Sequence, residues 1–252
     1  IAKKADNVRK QPNTSNQRRT MIDEKKRGGV GASEVSALFT KDGIRSKSSQ
    51  TLAYNKSLEI LTGERKEIST KAMEHGIINE PEAFENCIMF NIPESNLQST
   101  ESYFIKDGLW ATPDVVTPES VIDIKCPYTP YSYYQNISKL KKSYIIQVNT
   151  QMLALNVDGG GLLFYLTADN YDRYGNKIEY EIPLQDRFTL VGVEKEDNFE
   201  SELIKRFDEF KELRDLILKD IKPERSFKEE NENEKEENKS SALDSLGLKP
   251  KP

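Results

Sequence analysis

The sequence predicts a mixed α/β domain in which helices pack on a twisted mixed sheet. Helical apolar spacing dominates the first third of the chain, and short β-prone runs follow between about residues 101 and 125. A further helix, more strands and a long helix come after them, an order typical of helices layered on a mixed sheet. The hydrophobic content of 36% supports a core, so the 252 residues are expected to form one domain with polar ends.

Five helical segments are expected from the apolar periodicity. Gly63 should end the second of them, because glycine readily takes the left-handed conformation that follows a helix. Pro81 lies inside the third and leaves open whether that segment is continuous, kinked or split in two. The helical segments are predicted at about residues 33–39, 49–61, 70–90, 130–156 and 195–220.

The strands are expected where β-branched and aromatic residues cluster between turn residues. The first three should form an antiparallel meander, whose last hairpin closes at Thr117 to Ser120. The strands are predicted at about residues 101–106, 109–116, 120–125, 161–167 and 177–183.

The net charge of −5 is distributed unevenly along the chain. Residues 1–27 carry nine Lys and Arg against three Asp and Glu, whereas the middle of the chain is acidic. We expect a basic flexible arm at residues 1–20, a folded domain at 21–222 and a disordered charged tail at 223–252. A basic arm is compatible with a nucleic-acid partner in spite of the acidic average.

Composition also excludes several classes of protein. No apolar run approaches the length of a membrane helix and no signal peptide is evident, so a cytoplasmic protein without membrane contact is expected. The two cysteines, Cys87 and Cys126, lie in apolar runs and are expected to be reduced and buried. Two cysteines and a single histidine argue against zinc and iron–sulfur sites.

The predicted strand at residues 120–125 combines a core face with charges. Alternation puts Asp123 and Lys125 on one face and Ile122 and Ile124 on the other. The hairpin brings Asp114 across from Asp123, and two neighbouring carboxylates repel unless a cation neutralises them. Carboxylate oxygens completed by water and phosphate oxygens suit Mg²⁺, and the lysine is placed to act on water or on phosphate charge.

A second acidic residue interrupts an apolar helix stripe. Glu80 shares this stripe with Met73, Ile77, Phe84 and Cys87, so it is expected to point inward and to need a partner.

Two other segments supply groups that bind phosphate. Gln147 and Gln151 lie four residues apart on one helix face, one turn after Tyr144, and their amides can donate to phosphate or water. Spacing alone is equally compatible with a polar surface. In "RGGVGASEV", Arg27 precedes a glycine-rich turn and Ser33 is expected to cap the first helix, which brings a guanidinium and a helix N-terminus together.

These motifs together resemble the PD-(D/E)XK nuclease superfamily, through Pro113-Asp114 and Asp123-Ile124-Lys125. The order and approximate spacing of "RGGVGASEV", "HGIINEPEAF", "ATPDVV", "IDIKCP" and "YIIQVNTQM" narrow the likeness to the lambda exonuclease / YqaJ-type viral recombinase family. The resemblance spans about residues 25–185 and implies a restriction-endonuclease-like core.

The resemblance also implies a metal site. Asp114 and Asp123 would be its principal ligands together with the Ile124 carbonyl, and Glu80 would serve a metal directly or through water. Lys125 would assist the attacking water. The implied cofactor is Mg²⁺, with Mn²⁺ able to substitute.

Other residues match family positions that contact DNA or flank the metal. Gln147 matches a glutamine beside the metal site and Tyr144 lies at a motif position, while Arg27 and Ser33 match residues that hold the 5′-terminal phosphate. One departure is Asp123, because the carboxylate before the lysine is often Glu in this family.

The function implied by the resemblance is a Mg²⁺-dependent 5′→3′ double-stranded DNA exonuclease. It would resect DNA ends for phage-type recombination with a single-strand annealing protein, as a ring-shaped homotrimer. Two alternatives use the same fold: a structure-specific or restriction-type endonuclease, and a DNA-end-binding or replication-accessory protein without turnover.

Overall fold

The helices and strands are taken from a computed structural model, which describes residues 24–65, 70–86, 101–168, 170–172, 174–178 and 182–221. The main helices are α1 Lys47–Thr62, α2 Lys71–Asn86, α3 Pro130–Ser138, α4 Lys142–Leu155 and α5 Phe199–Ile221. The strands are β1 Val30–Gly31, β2 Tyr103–Lys106, β3 Leu109–Ala111, β4 Val115–Val116, β5 Ser120–Lys125, β6 Gly159–Tyr165, β7 Asn170–Tyr171, β8 Lys177–Ile178 and β9 Phe188–Val193.

The central sheet has the strand order β4-β5-β6-β9. Strand β5 pairs antiparallel with β4 and parallel with β6, and β6 pairs antiparallel with β9. The parallel pair is connected through α3 and α4, as parallel strands require a long crossover. Asp123 lies opposite Leu162 on β6 and therefore on an interior strand.

Helix α4 covers one face of this sheet. Val148 and Met152 on α4 pack with Val121 and Leu162 in one buried cluster. The helix approaches closely because Gly160 has no side chain: a β-carbon there would lie 2.7 Å from the Met152 sulfur. The face that carries Asp123 is thus buried under a helix rather than open to solvent.

Helix α2 lies against the opposite face. Ala83 packs with Ile122, Ile124 and Tyr165 in a second buried cluster. Both faces of β5 are therefore covered, which confirms the expected layering of helices on a mixed sheet.

The remaining helices, α1 and α5, enclose a second core beside the small sheet β1-β3-β2. Its buried residues include Val30 and Leu109 from the sheet and Phe207 and Phe210 from α5.

A buried ion-pair network ties α1 to the segment before it. Lys56 is 2% exposed, and its Nζ lies 3.1 Å from Glu34 Oε2 and 3.2 Å from Glu59 Oε2. The two carboxylates also accept backbone hydrogen bonds, Glu59 from Gly28 N at 3.3 Å and Glu34 from Gly31 N at 3.1 Å. The network therefore fixes the glycine-rich turn against α1.

Several predicted elements differ from the structure. The helix expected at 130–156 is two helices, because residues 139 and 141 take extended backbone between them. The helix expected at 33–39 is only a 3-10 turn at Val35–Ala37 that Ser33 does not cap. Strands β1, β7 and β9 were not predicted from sequence.

The predicted strand at 109–116 is divided between two sheets as β3 and β4. Pro113 lies in the break, where its missing N–H cannot continue a strand ladder. The expected three-stranded meander is therefore wrong, although the hairpin of β4 and β5 forms.

Helix α2 differs from the sequence prediction in the face that it buries. It continues through Pro81, but most of the stripe expected to face inward is exposed, with Met73 at 53% and Ile77 at 70%. Only Phe84 of the described stripe packs against the buried cluster of Ala83. Its buried residues are His75 and Ala83 instead. Small Ala83 allows close contact with the sheet, and the exposed part of the stripe faces a cleft.

The predicted arm at 1–20, the predicted tail at 223–252 and Cys87 lie outside the described residues. Cys126 is a free, buried thiol, and burial followed by the charge of Glu80 raises its pKa to about 12. Among the helices that the structure describes, none is long and apolar enough to cross a membrane.

Candidate active site

A cleft of about 700 Å³ opens between α2, the end of β5 and the start of α4. Eight of the nine residues that the sequence and the resemblance single out line this cleft: Ser33, Glu80, Asp114, Asp123, Ile124, Lys125, Tyr144 and Gln147. The residues come from four separate regions of the chain, so the fold is what assembles them.

Asp123 lies at the base of the cleft with its carboxylate almost completely buried. One oxygen, Oδ1, accepts hydrogen bonds from Gln147 Nε2 at 2.6 Å and Gln151 Nε2 at 2.8 Å. The other, Oδ2, lies 2.5 Å from the ammonium of Lys125. Burial of a carboxylate is tolerated here because each oxygen faces a donor or a cation.

Asp114 lies across the hairpin from Asp123, at the break that precedes β4. Its Oδ2 accepts a hydrogen bond of 2.6 Å from the backbone N–H of Ile124. This bond fixes the Asp114 carboxylate beside the strand that carries Asp123 and Lys125.

Burial and neighbouring carboxylates act on the ionisation of Asp114 and Glu80. Burial, then the charges of Asp123 and Glu80, raise the pKa of Asp114 well above its ordinary value, against the hydrogen bond from Ile124. Burial and then Asp123 also raise the pKa of Glu80, which Lys125 partly offsets. The cleft is therefore a cluster of like charges, which a neighbouring cation partly offsets.

Lys125 is that cation. Burial by itself lowers its pKa, but Asp123 and then Asp114 outweigh burial, so the net pKa is raised. Its Nζ also donates to Gln147 Oε1 at 3.3 Å and lies 5.2 Å from the ring centroid of Tyr144. In this arrangement the lysine is held as a cation.

Arg27 is the one predicted site residue that does not line the cleft. It is exposed, and its guanidinium lies beside Gly63 at the end of α1, where a β-carbon would be 2.9 Å from Nη2. Ser33 does reach the cleft wall although it caps no helix.

Gln151, buried behind Asp123, and Lys141, in the cleft lining, had no role assigned from sequence. Gln151 orients the Asp123 carboxylate together with Gln147, so both amides serve the acid rather than solvent or phosphate; their spacing of four residues was the available signal. Lys141 lines the cleft from the turn before α4, and the sequence prediction of one continuous helix hid its position.

The donor set fits a hard divalent cation. Carboxylate oxygens are the ligands that Mg²⁺ or Mn²⁺ prefers, and Asp114, Asp123 and Glu80 would hold such a cation. The raised pKa values of Asp114 and Glu80 reflect negative charge that the cation would neutralise. Within the described residues no three acidic, histidine or cysteine side chains already converge as a metal site. Since Lys125 occupies Asp123 Oδ2, a cation has to compete with this lysine.

The charge cluster predicts that Asp114→Asn raises the Tm of the metal-free protein by about 2–4 °C, equivalent to about 1 kcal/mol. Asparagine keeps an oxygen that accepts from the Ile124 N–H and removes one repelling charge. Thermal melts with EDTA and with Mg²⁺ measure the effect. Mg²⁺ should reduce the difference in Tm between Asp114→Asn and wild type. The control is Asp158→Asn, a surface carboxylate paired with Lys195. A metal-free Asp114→Asn less stable than wild type would contradict the repulsion.

Comparisons with known proteins agree with the motif order. Residues 23–157 match the family model described as a YqaJ-like viral recombinase domain, which is more than half of the chain. The chain belongs to this YqaJ-like family. Membership confirms the resemblance, and the matched segment contains every residue proposed for the site. A comparison with curated protein sequences found no match.

Three solved structures similar to this YqaJ-like chain are described as exonucleases. The alkaline exonuclease LHK-Exo from Laribacter hongkongensis has a TM-score of 0.64 at 22% identity, covering 82% of this chain and 98% of that one. The structure of LHK-Exo in complex with dAMP has a TM-score of 0.63 at 24% identity, and the match covers 80% of this chain and 95% of that one. A phage-related exonuclease from Haemophilus somnus 129PT has a TM-score of 0.66 at 16% identity, and the match covers 79% of this chain and 99% of that one. The chain thus has the fold of these exonucleases, which agrees with the expected mixed α/β class.

Proposed function

We propose that the protein is a Mg²⁺-dependent nuclease that degrades double-stranded DNA from its 5′ ends. The observation that carries the proposal is the convergence of Asp114, Asp123, Glu80 and Lys125 on one cleft. Phosphodiester hydrolysis needs carboxylates for a cation and a positive group near the reacting phosphate, and these residues supply both.

Each residue has a separate task in this proposal. When bound, the cation supplies Lewis acidity that activates water and stabilises negative charge on the phosphate. Lys125 adds a fixed positive charge beside the same phosphate. Gln147 and Gln151 hold the Asp123 carboxylate in one orientation, and the Ile124 N–H does the same for Asp114.

The finer parts of the proposal rest on family membership. They are the 5′→3′ direction, work with a single-strand annealing protein in phage-type recombination, a ring-shaped trimer and a cytoplasmic location. Ser33 and Tyr144, which line the cleft, are proposed to contact the 5′-terminal phosphate. The role of Arg27 stays a prediction from the resemblance, because its guanidinium lies away from the cleft lining.

The test uses the full chain and a linear duplex with a 5′-phosphate on one strand only. Mononucleotide release from that strand is expected with Mg²⁺, and EDTA should abolish it. A 5′-hydroxyl end should be degraded more slowly, because a terminal phosphate contact is lost.

Two results would distinguish the alternative functions. Cutting of closed circular DNA at a rate comparable to linear DNA would favour an endonuclease. Duplex binding with no hydrolysis under Mg²⁺ or Mn²⁺ would favour an end-binding protein and reject the nuclease.

A further inference from the structure

Lys141 is a cation of the cleft that the proposed hydrolysis does not use. Among the residues that line the cleft, Lys125 and Lys141 carry the positive charges. The two lysines have different surroundings. Lys125 lies 2.5 Å from the Asp123 carboxylate, whereas none of the described carboxylates lies within ion-pair distance of Lys141.

The ring of Tyr144 lies close to both ammonium groups. Lys141 Nζ lies 5.1 Å and Lys125 Nζ 5.2 Å from its centroid, and Lys141 Nζ also lies 3.4 Å from the Tyr144 hydroxyl. Each cation is attracted by the ring, but the two repel each other. A bound anion next to Lys141 would relieve that repulsion and balance the one cleft cation that faces no described carboxylate.

The chain around Lys141 adds to this positive potential. Lys139 and Lys142 flank it, and all three lysines are exposed. Helix α4 begins directly afterwards with Lys141 at its N-cap, with no side-chain cap and no acidic residue in its first turn. A lysine donates but cannot accept hydrogen bonds, so it leaves the positive end of the helix uncompensated.

We propose that Lys141 binds an internal backbone phosphate of the DNA that occupies the cleft. This inference rests on the proposed function, since DNA has to enter the cleft. It adds a contact to the DNA backbone besides the reacting phosphate at Lys125. Because Lys141 Nζ lies 3.4 Å from the Tyr144 hydroxyl, this internal phosphate would neighbour the 5′-terminal phosphate proposed for Ser33 and Tyr144. In a protein of net charge −5, such a contact concentrates affinity for DNA at the cleft.

The test measures duplex binding by Lys141→Met over a series of salt concentrations, with EDTA present so that the DNA stays intact. A lost phosphate contact should weaken binding about fivefold and reduce the slope of log Kobs against log[salt] by about 0.9. Lys141→Arg keeps the charge and should keep the wild-type slope.

The matched control is Lys219→Met, which removes the same charge from the last turn of α5. It should leave affinity and slope unchanged. An unchanged salt slope in Lys141→Met would overturn the proposed phosphate site. An equal reduction of the slope in Lys219→Met would also overturn it. A loss on 5′-phosphorylated duplex that is absent on 5′-hydroxyl duplex would also overturn it, because the contact would then be to the terminal phosphate.

The outcome can be separated from that of the proposed function. If wild type degrades linear duplex while Lys141→Met binds with the wild-type slope, only the Lys141 site fails. If wild type neither binds nor degrades duplex DNA, the proposed function fails as well.

Discussion

Lys125→Met is expected to lower kcat for nucleotide release by about 10²–10³-fold, because it removes a fixed positive charge beside the reacting phosphate. The same substitution should lower the Mg²⁺ concentration needed for half-maximal activity. The ammonium lies 2.5 Å from Asp123 Oδ2, so wild type binds a cation only by displacing it. Methionine leaves that oxygen to the cation. Rates at saturating DNA over a Mg²⁺ titration measure both effects.

Lys219→Met is the control for this prediction, since it removes an equal charge from α5, outside the cleft lining. Thermal melts verify that Lys125→Met is folded. A folded variant with kcat within about threefold of wild type would remove the lysine from catalysis. Weaker apparent Mg²⁺ affinity would contradict the proposed competition, whatever the rate.

Lys56→Met is expected to destabilise the protein by about 3 kcal/mol, because it removes the buried counter-charge of Glu59. Among the described residues, Glu34 keeps only the exposed Arg65 as an ion-pair partner. Lys56 is 2% exposed and contacts both Glu34 and Glu59. The corresponding fall in Tm is about 6–12 °C for a domain of this size. Methionine is close to lysine in length, so the loss is of charge more than of packing. Denaturant unfolding gives the free energy directly.

Two further variants test whether the loss of stability comes from the missing Lys56 charge rather than from any lysine substitution in α1. Lys47→Met removes an exposed lysine from the first turn of the helix and should change stability by less than about 0.5 kcal/mol. Adding Glu59→Gln to Lys56→Met should recover part of the loss, since glutamine keeps an acceptor for the Gly28 N–H. A double variant no more stable than Lys56→Met would show that the stranded Glu59 charge is not the cause.

Local signals predicted the hairpin and the alternation of its side chains. Alternation along β5 separates Asp123 and Lys125 from Ile122 and Ile124, and the turn at 117–120 fixes which residue faces Asp123. A period of two residues and a tight turn are properties of neighbouring residues. The left-handed glycine that ends α1, Gly63 at φ +74°, is equally local.

These local signals do not predict how distant segments of the chain pack against one another. The stripe with Met73 and Ile77 has the spacing of a buried helix face, yet it faces the cleft, because small Ala83 on another side meets the sheet. Periodicity shows that a helix has an apolar face but not which side the rest of the chain covers.

The sequence by itself determined the family, the order of the motifs and the acid–lysine pair on β5, because each depends on residue identity at short spacing. Only the tertiary structure decided how those groups are used. It turned both Gln147 and Gln151 onto Asp123, placed Arg27 away from the cleft and brought Lys141 to its edge. The physical reason is that burial and charge balance depend on residues far apart in the chain, which meet only when α4 packs over the sheet.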